Sequence, residues 1–173
     1  MLEIRGGRMK RQQIIAICGP YSGGGHTILS QLAEFLRTLD FPAYLCSELC
    51  PAEDPNDPEA VRQASYECMK LAKAYILVFL SPASLGPDAK EVDLTGGTAF
   101  EAGLLYAAWK EKDDICVACL FDDLEHQRRV SKMLQGKWMG LELDAVLPIP
   151  GDTAALNELA AQLCAGLVDL IHD

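Results

Sequence analysis

The chain has 173 residues, half of them hydrophobic, with 25 acids against 15 lysines and arginines and a net charge of −10. That length buries a full core in one domain, the apolar content excludes a disordered chain, and the acidic balance speaks against polymeric nucleic acid, whose phosphates need clustered cations. No apolar run approaches the roughly 18 residues that span a bilayer, so no membrane partner is expected.

Residues 1–12 read as a loose leader: Arg5, Arg8, Lys10 and Arg11 precede no apolar stretch of signal-peptide type. Residues 13–173 read as a single domain. With no export signal, the seven cysteines are expected to be reduced core thiols of a cytoplasmic protein.

Short apolar runs then alternate with helical patterns. Gln13-Ile-Ile-Ala-Ile-Cys18 is the first predicted strand and stops at Gly19-Pro20. Apolar residues at 28, 29, 32, 35, 36 and 39 repeat with a helical period over residues 27–39. Ala43-Tyr-Leu-Cys46 is a short second strand. Residues 51–58, with three prolines and three acids, form a loop, and Pro58 suits the first turn of a helix reaching about residue 72. Ala74-Tyr-Ile-Leu-Val-Phe-Leu80 is the clearest strand. A long loop over residues 81–97 leads into a helix, and Ile115-Cys-Val-Ala-Cys-Leu-Phe121 gives a fourth strand. Residues 124–134 form a helix, Ala145-Val-Leu147 a fifth strand, and residues 152–171 a closing helix capped by Asp152 or Thr153.

Such alternation implies a parallel sheet covered on both faces, with right-handed crossovers. The expected fold is an α/β, three-layer doubly wound domain with a five-stranded parallel sheet, flavodoxin-like in strand order. Ligands of these folds bind beyond the carboxyl ends of the strands. Those ends carry residues 19–26, 46–57, 81–97 and Asp122-Asp123; the two aspartates are expected to cap the following helix or to touch a ribose hydroxyl.

Two stretches on that rim carry the chemistry. Gly19-Pro-Tyr-Ser-Gly-Gly-Gly-His-Thr27 joins the first strand to the first helix. Glycines ahead of a helix start let backbone N–H groups approach an anion that the helix dipole favours. The loop is not a P-loop, because the spacing is one residue too long and His26 stands in place of lysine. Nor is it a dinucleotide fingerprint, because Tyr21 occupies the second glycine position. It is expected to bind phosphate or carboxylate through Gly19, Ser22, Gly23, Gly24 and Gly25. Tyr21 either stacks on a base or ribose or closes the core.

The second stretch is Asp93-Leu-Thr-Gly-Gly-Thr-Ala-Phe-Glu-Ala-Gly-Leu-Leu-Tyr106. Glu101 is its only charge between Asp93 and Lys110. A helix apolar on nearly every side is normally buried, and a carboxylate there needs a partner or a task. The structural alternative is a capping box, Thr98-x-x-Glu101, in which Glu101 bonds back to an amide at the helix start. No metal site is expected. Cys116-x-x-Cys119 lies on a strand, where residues three apart point to opposite faces, and no second ligand pair accompanies it.

These two stretches resemble the nucleoside 2-deoxyribosyltransferase-like superfamily. The first is similar to its sugar- and phosphate-binding loop, and Gly97-Thr-Ala-Phe-Glu-Ala-Gly103 is similar to its G-T-x-x-E-x-G motif. The resemblance covers roughly residues 13–120. It implies a flavodoxin-like fold, cleavage or transfer of the N-glycosidic bond of a nucleoside or nucleoside 5′-monophosphate without a cofactor, and Glu101 as the nucleophile. Gly97 and Thr98 would then border the sugar. It also implies that a neighbouring subunit completes the site, where Lys137-Trp-Met139 could lie; the apolar sides of Gly103 to Trp109 separately predict packing against a second copy, in a homodimer or larger. The chain departs from the family pattern in lacking an aspartate before the third strand, in Leu71-Ala-Lys-Ala-Tyr75. A second acid is left to Asp88, Glu91 or, by preference, Asp93. A carboxylate at C1′ fits an oxocarbenium-like transition state, with the second acid protonating the departing base. Two other readings keep the same residues: a TIR-like NAD glycohydrolase, and a non-catalytic nucleotide-sensing module.

Overall fold

A computed structural model describes residues 11–21, 24–80, 96–111, 115–121 and 145–146. Within them β1 (Gln12–Cys18), α1 (Gly25–Thr38), β2 (Ala43–Leu45), α2 (Cys46–Leu49), α3 (Pro58–Leu71), β3 (Ala72–Phe79), α4 (Gly96–Lys110) and β4 (Cys116–Phe121) follow one another. A two-residue strand, β5 (Ala145–Val146), lies beside β4. All pairings are parallel and the order is β2-β1-β3-β4-β5. That is an α/β fold on a parallel sheet, consistent with a flavodoxin-like layout. Beyond Ala145–Val146, the predicted helices over 124–134 and 152–171 lie outside the described residues, as do Asp122 and Asp123.

Burial on both faces of the sheet explains why its strands read as nearly continuous apolar runs. Ile15, Ile17, Ile76 and Val78 pack on one face against Ile28, Leu29, Leu32, Ala33 and Leu36 of α1. Those five helix residues are the i, i+1, i+4, i+5, i+8 stripe of an amphipathic helix. Each leucine or isoleucine so buried contributes about 1.5–3 kcal/mol relative to exposure. Ala16, Cys18, Tyr75, Leu77 and Phe79 face the other way, against α3 and α4. The strand alternation also separates Cys116 from Cys119, which belong to the two different cores, as their spacing predicts.

The ends of the helices are settled locally. Asp57 caps α3 by accepting from the Glu59 N–H at 3.0 Å, with Pro58 in the first turn. At the other end of α3, Arg11 donates to the carbonyls of Met69 and Ala72 at 2.8 and 3.1 Å and to the Tyr75 hydroxyl at 3.0 Å. Arg11 was read from sequence as part of a loose leader, yet it anchors the chain just ahead of β1. Arg37 does similar work at the end of α1, donating to the Ala43 carbonyl at 2.6 Å and to Glu48 at 2.7 Å. The turn between α1 and β2 puts Asp40 in the left-handed region, at φ 63°. α2 was not anticipated; the sequence reads Cys46 as the end of a strand, whereas it opens this four-residue helix.

α4 differs most from expectation. Thr98, Glu101, Ala102 and Leu105 are buried at i, i+3, i+4, i+7, one stripe facing the sheet. Phe100 on the far side, Tyr106 on the flank and Trp109 at the C-terminal end of the stripe itself are 47, 45 and 39 % exposed. An apolar helix is thus partly exposed among the described residues. No helix there is long and apolar enough to cross a membrane.

Candidate active site

The chemistry converges where β1 and β2 end and α3 and α4 close over them. A hollow of about 540 Å³ opens there, within the roughly 300–1,000 Å³ range of small-molecule sites. Its wall is apolar at Pro51, Ala52, Pro55, Val61 and Ala64 and polar at His26, Ser47, Ser65 and Glu101, with Tyr21 and Cys46 beside them. The residues come from the turn after β1, from α2 and the loop behind it, and from α1, α3 and α4.

Glu101 is 7 % exposed, and its carboxylate borders this hollow. Burial raises its pKa from 4.5 to about 7, and a long hydrogen bond from the Ser65 hydroxyl at 3.5 Å works weakly against that rise. Among the described residues no basic side chain pairs with it. The capping-box reading does not hold: α4 begins at Gly96, so Glu101 lies more than a turn inside the helix. Its hydrogen bond goes to α3 and not back to its own helix start. A carboxyl group titrating near neutrality beside a small-molecule hollow is equipped for proton transfer or nucleophilic attack.

The glycine-rich turn divides between packing and site. Gly19 is a packing residue: a Cβ there would stand 2.9 Å from Leu29 Cδ2 and 3.1 Å from the Val78 carbonyl. Tyr21 is on the wall, 37 % exposed, and its hydroxyl accepts from the Ser47 N–H at 3.2 Å. That bond ties the turn to the start of α2 and fixes the ring at the mouth of the hollow, which favours a contact role over closure of the core. Its ring centroid lies 6.1 Å from that of His26. Gly24 precedes α1 with no side-chain cap, and the first turn of α1 carries no acid, an arrangement open to an anion. Gly25 is buried at the start of α1.

Other predicted site residues are not brought together. Thr98 is buried on the core stripe of α4 and does not line the hollow. Gly97 and Gly103 are exposed, and a Cβ on either would meet nothing within 4 Å among the described residues. No described neighbour requires a glycine at either position. Ser22, Gly23 and Asp93, with the other acids Asp88 and Glu91, lie outside the described residues, as does Lys137-Trp-Met139. Sequence reading missed Ser65, Ser47 and the cysteines at the hollow's base. Ser65 left no signal on a polar helix face, but Cys18 and Cys46 close the first two apolar runs at equivalent places, which parallel register brings side by side.

No protein-family model matches the chain, and no curated protein matches it in sequence. The functional reading therefore stands on the residues themselves.

Proposed function

We propose that the chain cleaves or transfers the N-glycosidic bond of a nucleoside or nucleoside 5′-monophosphate, with Glu101 as nucleophile. The observation that carries the proposal is a buried carboxylate, with no basic partner among the described residues, on the wall of a hollow about 540 Å³ in volume next to the glycine-rich turn. Sugar and base would lie along the apolar wall of Pro51, Pro55 and Val61, with Tyr21 at the mouth. A 5′-phosphate would take the uncapped start of α1 behind Gly24. Glu101 would attack C1′ as the C1′–N bond breaks, forming a glycosyl ester. Asp93 would give its proton to the departing base, and water or a second base would then resolve the ester. The same reading takes the chain as a five-stranded, flavodoxin-like member of the nucleoside 2-deoxyribosyltransferase-like superfamily.

The test is base release from each deoxynucleoside 5′-monophosphate, and nicotinamide release from NAD, followed by chromatography. The expected result is release of a base from a nucleoside monophosphate and a loss of more than ~10³-fold in Glu101→Gln. Release from NAD alone transfers the assignment to a TIR-like NAD glycohydrolase. Tight binding of nucleotides with no turnover makes the hollow a sensing site. A Glu101→Gln enzyme that keeps its turnover removes the nucleophile from the mechanism.

A further inference from the structure

Beneath the hollow, two cysteines that the glycosidase reading does not use stand beside Glu101, which it does use. Ile17 of β1 is in register with Leu45 of β2, so the next residues, Cys18 and Cys46, stand side by side at the strand ends. Both point into the core shared with α3 and α4. Their sulfurs are 2.9 Å apart, and both are free thiols. Glu101 arrives from α4, and one carboxylate oxygen and the two sulfurs all lie within 4.8 Å of one another. All three residues are buried. Cys68 of α3 lies in the same core cluster. Buried cysteines taken singly are small core residues. Two sulfurs and a carboxylate from three separate elements, with no described basic side chain among them, form a donor set instead.

We propose that Cys18, Cys46 and Glu101 bind one thiophilic divalent cation, Zn²⁺ in the first place. Two sulfurs and one carboxylate oxygen are ligands of the type zinc takes, at about 2.3 Å and 2.0–2.2 Å respectively. A tetrahedral centre separates its two sulfurs by roughly 3.7 Å, so the pair has to open by less than about 1 Å. Cys46 and Glu101 line the hollow, which provides the entry path and leaves the fourth position to Cys68 or to a water. Loading releases the two thiol protons, together with the carboxyl proton where it is present, and forms two metal–sulfur bonds and one metal–oxygen bond. No electron changes hands. The site does not depend on the glycosidase reading; a bound cation would occupy the carboxylate and so silence a nucleophilic Glu101.

The experiment takes the full chain, reduced and stripped with a chelator, and titrates it with Co²⁺ and then Zn²⁺. One equivalent of Co²⁺ should raise thiolate-to-cobalt charge-transfer absorption that Zn²⁺ abolishes. Cys18→Ser and Cys46→Ser should each weaken Zn²⁺ binding by more than ~100-fold, whereas Cys116→Ser, on the other face of the sheet, should not. X-ray absorption on the unmodified zinc-loaded chain covers the case in which a serine variant fails to fold. It should show two sulfur scatterers at about 2.3 Å. The proposal is overturned by a zinc shell of oxygen and nitrogen alone, by binding indifferent to both serine variants, or by a reduced chain that takes up no metal. A purified chain that carries a Cys18–Cys46 disulfide and stays metal-free after reduction overturns it in favour of a redox pair.

Discussion

At the scale of single residues, Glu101 governs how the protein should respond to pH. Its folded pKa is raised, so the native state holds a proton that the unfolded chain gives up. Stability linked to this group is complete below about pH 4.5 and is lost as pH climbs through about 7, on the order of 3 kcal/mol in all. Denaturant melts of the original chain and of Glu101→Gln should agree near pH 4.5 and diverge above 7, with the glutamine variant the more stable. Parallel curves across that range would show that the carboxyl group is not desolvated. Catalysis should run the opposite way, because only the ionised form attacks: kcat/KM for base release should rise through about pH 7. A falling limb there would make Glu101 the proton donor instead. The sequence marks this residue as the one charge in an apolar helix, and the structure buries it beside the hollow. The sequence did not disclose Ser65, which supplies the hydrogen bond, because a serine on a polar helix face looks like any solvated residue.

Among the elements, the glycines separate into those the packing demands and those it tolerates. Gly19→Ala pushes a methyl group against Leu29 and the Val78 backbone, and should cost about 1–3 kcal/mol as overpacking between β1, β3 and α1. Gly103→Ala meets open space in a helix interior and should add about 0.5–1 kcal/mol. Thermal melts of the two variants should move in opposite directions. Each glycine belongs to one of the two sequence motifs; backbone approach, which no motif records, divides them. Element types were legible wherever apolar period and punctuation agreed, as in α1, α3 and β3. The strand ends were legible only to within a residue or two. Tertiary hydrogen bonds decide them, such as those that Arg11 makes to Met69 and Ala72, and these join positions far apart in sequence.

For the whole molecule, the exposed apolar residues of α4 bear on the expected oligomer, because hydropathy alone does not say which apolar residues a neighbour covers. Tyr106 and Trp109, exposed near the end of α4 with ring centroids 5.9 Å apart, suit a second copy of the chain, and we expect a homodimer. Light scattering should give twice the chain mass for the original protein and the single mass for Tyr106→Lys with Trp109→Lys. A monomer in both would leave that side to residues beyond those described. The layered fold itself could be read from alternation, since a parallel sheet requires it. The meeting of Cys18, Cys46 and Glu101 could not, because it depends on strand register and helix docking together. One consequence follows for the chain as it leaves the ribosome. The mouth and walls of the hollow come from residues 21–65, and the acid arrives only when α4, emerging later, settles on β3. A nascent chain halted before residue 96 would display a cleft without its reactive group, so synthesis itself would keep the chemistry silent until the chain is past its middle.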